Sequence, residues 1–240
     1  MARWHVLLII GLAGIASLLL ASFDQLAPGP QLSFAMRLLI LIQPAILTVA
    51  AVATGQALAV RTGLAAPLVD SWLQGANLRP ILRKQAPPAL AAGLAVGLLM
   101  SAYSSLILPS VTDAVTMAKM TAFNVPLVTR ILYGGITEEI LTRWGLMSLF
   151  AWALWRMAGK GKLLPSLLWA AITMAAALFA AGHLPFLFAI TSQPRPLLII
   201  VILLANFIPG LLFGWLFWRR GLEAAIFSHA FAHCVNALVS

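Results

Sequence analysis

Acidic residues are scarce in this sequence. Asp and Glu together number 6 among 240 residues, and charged residues of both signs make up only 9% of the chain. Soluble domains carry about 25% charged residues. With 62% hydrophobic residues and a mean hydropathy of +1.00, the chain has too little polar surface for a soluble globule. The composition therefore predicts an all-α fold, a polytopic transmembrane helical bundle.

Cysteine is almost absent as well. The single Cys234 excludes an intrachain disulfide. Adjacent helical residues diverge by about 100°, so Cys234 and His233 are expected to pack rather than form a Cys–His dyad. The 15 Lys and Arg residues give a net charge of +9. In a membrane protein, topology and anionic lipid headgroups explain such an excess, so lipids and not nucleic acid are the expected partners.

Long apolar runs predict seven spans, or eight if a helix lying in the interface is counted. No long polar stretch separates them, so we interpret residues 1–240 as a single integral membrane domain. The segment 63–88 mixes apolar residues with basic ones, which predicts the interfacial helix. The predicted spans are residues 6–21, 34–60, 89–108, 126–155, 165–183, 197–218 and 222–240.

The first apolar run resembles a signal peptide in its basic start and short apolar region. No convincing cleavage site precedes Asp24, so we interpret this run as a retained helix. The expected location is the cell (cytoplasmic) membrane, and the positive-inside rule places the N-terminus on its cytoplasmic side. Ten basic residues then lie on the cytoplasmic side, against four outside or near it: Arg3, Arg61, Arg79, Arg83, Lys84, Arg156, Lys160, Lys162, Arg219 and Arg220, against Arg37, Lys119, Arg130 and Arg195.

Two of the few carboxylates stand side by side, at Glu138 and Glu139, inside the fourth predicted span. A charge at bilayer depth costs roughly 2.5–3.5 kcal/mol, so these acids must face the bundle interior, form ion pairs or take part in chemistry. Glu139 and Arg143 are four residues apart, which predicts an ion pair on one helix face. Glu138 points about 100° away from that pair and is left free to act.

Three histidines lie late in the chain, at His183, His229 and His233. The last two are four residues apart and share a helix face. Taken singly, each histidine is explained equally well by a structural hydrogen bond to a neighbouring helix or by a functional role. Together with two carboxylates and an arginine in an otherwise apolar chain, they are hard to justify as packing and indicate a functional site.

Two chemistries suit this set of side chains. Glu138, shielded from water beside a second carboxylate, can take a proton from water near neutral pH, while histidine N–H groups stabilise an oxyanion. Alternatively, a zinc ion could be bound, although the His-Glu-x-x-His helix of common zinc peptidases is missing. We favour water activation without a cofactor over zinc, whose ligands would be Glu138, His183, His229 and His233.

Three motifs, within residues 125–239, resemble those of the CAAX prenyl protease type II family, also called CPBP or Abi. They are Glu138-Glu139-x-x-x-Arg143, Phe179-x-x-x-His183, and His229 on a late helix. The resemblance implies an intramembrane endopeptidase with Glu138 as the water-activating base and Glu139 held by Arg143. His183 and His229 would bind water or stabilise the oxyanion. The implied substrate is a peptide or membrane protein, prenylated or not.

One position departs from the family pattern. The last motif normally has Asn or Asp four residues after its histidine, where this chain has His233; Asn236 lies near the same face and could supply an amide. Two other classes of function stay open. One is a non-catalytic immunity or partner-binding protein of the same fold, and the other is a proton-coupled transporter. Broken spans in two matching halves would favour transport, and the sequence shows none.

Overall fold

The structure is a computed structural model that describes residues 2–23 and 32–239, so Asp24 and Ser240 lie outside the described part. Every regular element in these two ranges is helical, which confirms the predicted all-α bundle. The helices are α1 Arg3–Ser17, α2 Phe34–Leu58, α3 Pro67–Leu73, α4 Arg79–Ala102, α5 Ala114–Ala122, α6 (residues 127–157), α7 Pro165–Ala181, α8 Leu184–Ile190, α9 Pro196–Arg220 and α10 Leu222–Val239. A 3₁₀ turn, Ala59–Thr62, extends α2, and a π-helical turn, Tyr103–Ile107, followed by Leu108–Val111, extends α4.

Among the described residues, 6 helices are long and apolar enough to cross a membrane. They are α1, α2, α4, α7 with α8, α9 and α10, each with its short extensions. The helix α6 is comparably long, but it carries both neighbouring glutamates and Arg143, which lower its hydropathy. The chain is therefore a multi-pass membrane protein in which the charged helix is enclosed by apolar ones.

The segment 63–88 differs from the single interfacial helix that we predicted. It contains the short helix α3 and then the first turns of α4, which begins at Arg79, ahead of the predicted start of the third span at Ala89. Pro80 occupies the first turn of α4, where its missing N–H group costs little. Pro87 and Pro88 lie inside the helix, as membrane helices tolerate. The predicted start of this span at Ala89 is therefore wrong.

The helix α6 packs closely against α1 and α2 because small residues line the contacts. A Cβ atom at Gly14 would collide with Thr137 and with the carbonyl of Leu132, and one at Gly55 would collide with the ring of Trp144. The hydroxyl of Thr137 donates a hydrogen bond of 2.8 Å to the carbonyl of Gly11. These contacts fix α6 against the N-terminal pair of helices.

Many of the basic residues predicted to be cytoplasmic lie at one end of the bundle. Arg3 forms an ion pair with Asp70 of α3, with an Nη2–Oδ2 distance of 2.9 Å. The Gln85 amide donates to the carbonyl of Arg220 at 2.8 Å. At the start of α10, the buried Glu223 accepts hydrogen bonds from the Val69 N–H at 2.9 Å and the Gln85 amide at 3.2 Å. An acid at this position interacts favourably with the helix dipole, which by itself explains its presence. The two hydrogen bonds show that Glu223 also connects α10 to α3 and α4.

We predict that this basic end faces the cytoplasm. Single cysteines near Arg83, Lys160 and Arg219 in a Cys234→Ala background should react with an impermeant thiol reagent only from the cytoplasmic side, because basic loops are retained there. A cysteine at position 240 should react only from outside. Labelling of position 240 from the cytoplasmic side alone would overturn this orientation.

Candidate active site

The ion pair predicted within α6 is present. The Arg143 Nε atom lies 3.0 Å from the Glu139 Oε2 atom, and both residues are 0% exposed. The spacing of four residues accounts for the contact. Full burial makes each charge dependent on the other, because an isolated charge in an apolar interior is far more costly than a paired one.

Glu139 has a second partner that the sequence did not reveal. The His229 Nδ1 atom of α10 lies 2.9 Å from the Glu139 Oε1 atom, across 90 residues of sequence. One carboxylate oxygen therefore contacts the arginine and the other contacts the histidine. Glu139 thereby orients His229, in the way that carboxylates commonly orient functional histidines.

Glu138 is placed differently from its neighbour. Its side chain is only half-buried, and within the described ranges no hydrogen bond to its carboxylate is formed. His183 and His229 are close enough to Glu138 for electrostatic interaction with it. The division between a paired Glu139 and an unpaired Glu138 therefore agrees with the geometry expected from the sequence, and Glu138 faces histidines from two other helices.

The backbone around the two glutamates is unusual. They stand between two π-helical stretches of α6, Arg130–Thr137 and Ile140–Met147. A π-helical turn has i→i+5 hydrogen bonds and is found frequently at functional sites. The Thr142 hydroxyl donates to the carbonyl of Glu138 at 2.6 Å, which gives this carbonyl a partner next to the site.

Phe179 joins His183 to the rest of the cluster. His183 follows the end of α7, and its Nδ1 atom lies 2.9 Å from the Phe179 carbonyl oxygen. The Phe179 ring is 4.9 Å from the His183 ring and 6.3 Å from the His229 ring, measured between centroids. The Arg143 guanidinium carbon lies 5.5 Å from the centroid of the same Phe179 ring. The contact with Phe179 directs the His183 side chain back along α7.

His233 belongs to the same cluster. Its ring stacks on that of His229 with the centroids 5.0 Å apart, and the Phe213 ring also stacks on His229, at 4.7 Å. The His233 Nδ1 atom is buried without a hydrogen-bond partner. A Cβ atom at Gly134 would come within 2.7 Å of the His233 Nε2 atom, so the glycine of α6 makes room for this ring. Asn236, one turn further along α10, is also buried.

Hydrogen-bond partners restrict the protonation of two histidines. A carbonyl and a carboxylate can only accept, so the Nδ1 atoms of His183 and His229 must each carry a proton to make the contacts described. In the neutral ring, Nε2 is then an acceptor; in the charged ring, it is a donor. Both histidines therefore have an Nε2 atom that can accept a proton from water or donate one to an oxyanion.

The zinc alternative requires three or four ligands that converge on one point at about 2.0–2.2 Å. Over residues 2–23 and 32–239, no group of three or more His, Cys, Asp or Glu residues is arranged in this way. Glu138, His183, His229 and His233 are neighbours but do not form a ready ligand set. The geometry thus gives the zinc alternative no support, and a reaction without metal remains a prediction.

Comparison with known proteins gives a match to one family model. Residues 121–235 match the model of a family described as type II CAAX prenyl endopeptidase Rce1-like. The matched segment extends from the end of α5 into α10, and it contains all of the candidate catalytic residues together with His233. Neither a curated protein nor a solved structure matches the chain. Residues 121–235 are therefore similar to the CAAX protease (CPBP) family, and this match supports the resemblance that the three motifs indicated.

Proposed function

We propose that the chain is a glutamate-dependent intramembrane endopeptidase, and the observation that carries this proposal is the position of Glu138. It is the unpaired member of an adjacent pair of acids, it is half-buried, and it lies close to two histidines from other helices. A base for water activation needs to be unpaired and accessible, and its neighbours must be able to bind water and charge.

In the proposed reaction, the Glu138 carboxylate takes a proton from water while the water oxygen attacks the carbonyl carbon of a peptide bond. The neutral Nε2 atom of His183 accepts a hydrogen bond from the same water and orients it. The C–N bond then breaks as Glu138 returns its proton to the leaving nitrogen. The proton thus ends on the released amine and the carboxylate is regenerated.

Stabilisation of the oxyanion is assigned to His229. A charged imidazole donates from Nε2, and the Glu139 carboxylate at its Nδ1 atom compensates the positive charge. The ion pair with Arg143 holds Glu139 in place. A donor held in advance toward the developing charge is the usual means of lowering the barrier to acyl transfer. The rings of His233 and Phe213 stack on His229 and restrict its orientation.

Release of peptides from membranes tests the proposed activity. Membranes that contain the wild-type chain or its Glu138→Ala variant at equal levels should differ in the peptides they release, because only the wild type has the water-activating carboxylate. Mass spectrometry of the released peptides would also reveal the cleaved bond. Identical release from both membranes would favour a non-catalytic partner-binding protein, and proton flux that depends on Glu138 would favour a transporter.

We expect His233→Asn to retain most of the activity, because this substitution restores the residue type that the family has at this position. In contrast, His183→Ala and His229→Ala should each lose roughly 10²–10³-fold, the usual effect of removing one donor from such a site. The measurement is turnover of purified protein in detergent.

Metal dependence is tested on the same material. Purified wild type should keep its turnover after incubation with the chelator phenanthroline, because the proposed nucleophile is activated by a carboxylate. If His233→Asn were as inactive as His229→Ala, and zinc restored chelated enzyme, the attacking water would instead be metal-bound.

A further inference from the structure

A basic cavity lies far from the glutamates, at the other end of α6. It has a volume of about 460 Å³ and is lined by Arg61, Trp152, Trp155, Arg156 and Lys160. This volume falls within the range of about 300–1,000 Å³ that is typical of small-molecule sites. The lining comes from the 3₁₀ extension of α2, the last turns of α6 and the turn that follows, so the fold brings separate segments together here.

The charges of this cavity are not balanced by its own lining. Three of the five lining residues are cations and none is an acid. In the described ranges, none of these three cations takes part in an ion pair. Three uncompensated cations around one cavity repel one another, and a bound anion would relieve that repulsion.

The turn after α6 holds Lys160 at the cavity in an unusual conformation. The helix ends with hydrogen bonds from the Lys160 N–H to Trp155 and from the Gly159 N–H to Arg156, a Schellman arrangement. Such a turn needs only one residue with positive φ, and Gly159, at +82°, supplies it. Lys160 nevertheless also has a φ of +59°, and strained residues of this kind cluster at ligand sites.

The two tryptophans suit a position at the membrane surface. Trp155 is half-buried, and its indole N–H donates a hydrogen bond of 2.7 Å to the carbonyl of Gly161, which braces the turn. Tryptophan side chains are enriched at the level of lipid headgroups. Cations placed beside them meet the phosphate groups of that layer.

We propose that this cavity binds the phosphate of an acidic phospholipid headgroup, such as that of phosphatidylglycerol. The cations neutralise the phosphate, and the tryptophans contact the glycerol and the upper part of the acyl chains. The site is independent of the proposed protease mechanism. It anchors the end of α6 at one membrane surface, roughly 25 Å along the helix from Glu138, and so fixes the depth of the glutamates in the bilayer.

Native mass spectrometry of the purified, full-length protein tests this site. Phosphatidylglycerol and phosphatidylcholine would be titrated separately, and the retained lipid would be counted. A cation near a lipid surface contributes about fivefold in affinity. The triple variant Arg61→Gln, Arg156→Gln, Lys160→Gln should therefore bind phosphatidylglycerol roughly 100-fold more weakly than wild type, and its affinity for phosphatidylcholine should not change.

The matched control is the triple variant Arg79→Gln, Arg83→Gln, Lys84→Gln, which removes the same charge from exposed residues at the start of α4. It should bind phosphatidylglycerol like wild type. If the cavity variant is unstable, single replacements of the exposed Arg61 and Lys160 should each weaken binding about fivefold. Equal losses in the two triple variants, or no loss in either, would overturn the proposal. Displacement of the lipid by a matching concentration of inorganic phosphate would also overturn it, in favour of a soluble anion.

Discussion

Glu138→Gln is expected to abolish peptide cleavage while the protein still inserts and folds. The glutamine amide has nearly the same shape but cannot accept a proton from water, and a general base contributes about 10²–10⁴-fold to the rate. Stability should change little, because in the described part of the chain the Glu138 carboxylate has no hydrogen-bond partner to lose. Turnover, elution volume and Tm of the purified variant in detergent give the three measurements.

Asp113→Asn is the control for this change from carboxylate to amide. Asp113 is an exposed acid that caps α5 by accepting a hydrogen bond of 2.9 Å from the Thr116 N–H. Asparagine caps a helix about as well as aspartate, so this variant should keep wild-type turnover and Tm. Full turnover by a folded Glu138→Gln protein would show that Glu138 is not the base.

Arg143→Ala is expected to damage both folding and activity. Glu139, at 0% exposure, would keep only its contact with His229, and loss of one partner from a buried pair costs roughly 3–5 kcal/mol. His229 would also lose its fixed orientation, because its carboxylate partner would be free to move or to become protonated. We expect a large decrease in Tm in detergent, a lower yield and no detectable turnover.

Two further variants separate charge from lost volume. Arg130→Ala removes the same side chain from a half-buried position on α6 that has no ion pair within residues 2–23 and 32–239, and should lower the Tm far less. The double variant Glu139→Gln, Arg143→Met leaves no stranded charge and should recover much of the lost stability without recovering turnover. A wild-type Tm for Arg143→Ala would contradict the buried ion pair.

The helices could be predicted from the sequence because an apolar run of about 20 residues has only one stable form in a bilayer. The error lies where basic residues interrupt the apolar pattern. The sequence predicts an interfacial helix over 63–88 because apolar and basic residues are mixed there, whereas the structure begins α4 within this segment, at Arg79, and continues it through Pro87 and Pro88. The π-helical stretches of α6 have no local signal that would have predicted them.

The candidate site was predictable where contacts are local and not where helices meet. The pair of Glu139 and Arg143 follows from a spacing of four residues. The contact between Glu139 and His229 spans 90 residues, and it depends on the angle and depth at which α6 and α10 cross. Neither quantity is encoded in a single helix. Likewise, the hydrogen bond of His183 to Phe179 depends on a side-chain orientation that hydropathy does not describe.

The packing of α1 against α6 has a consequence for synthesis. The hydrogen bond between Thr137 and Gly11 joins residues 126 positions apart, so α1 cannot reach its native partner until α6 has been made. At about 5–20 residues per second, this interval is roughly 6–25 s. Throughout it, the glycine-lined face of α1 has only lipid and α2 to contact. Membrane chaperones therefore have time to act on α1 before the two glutamates enter the bilayer.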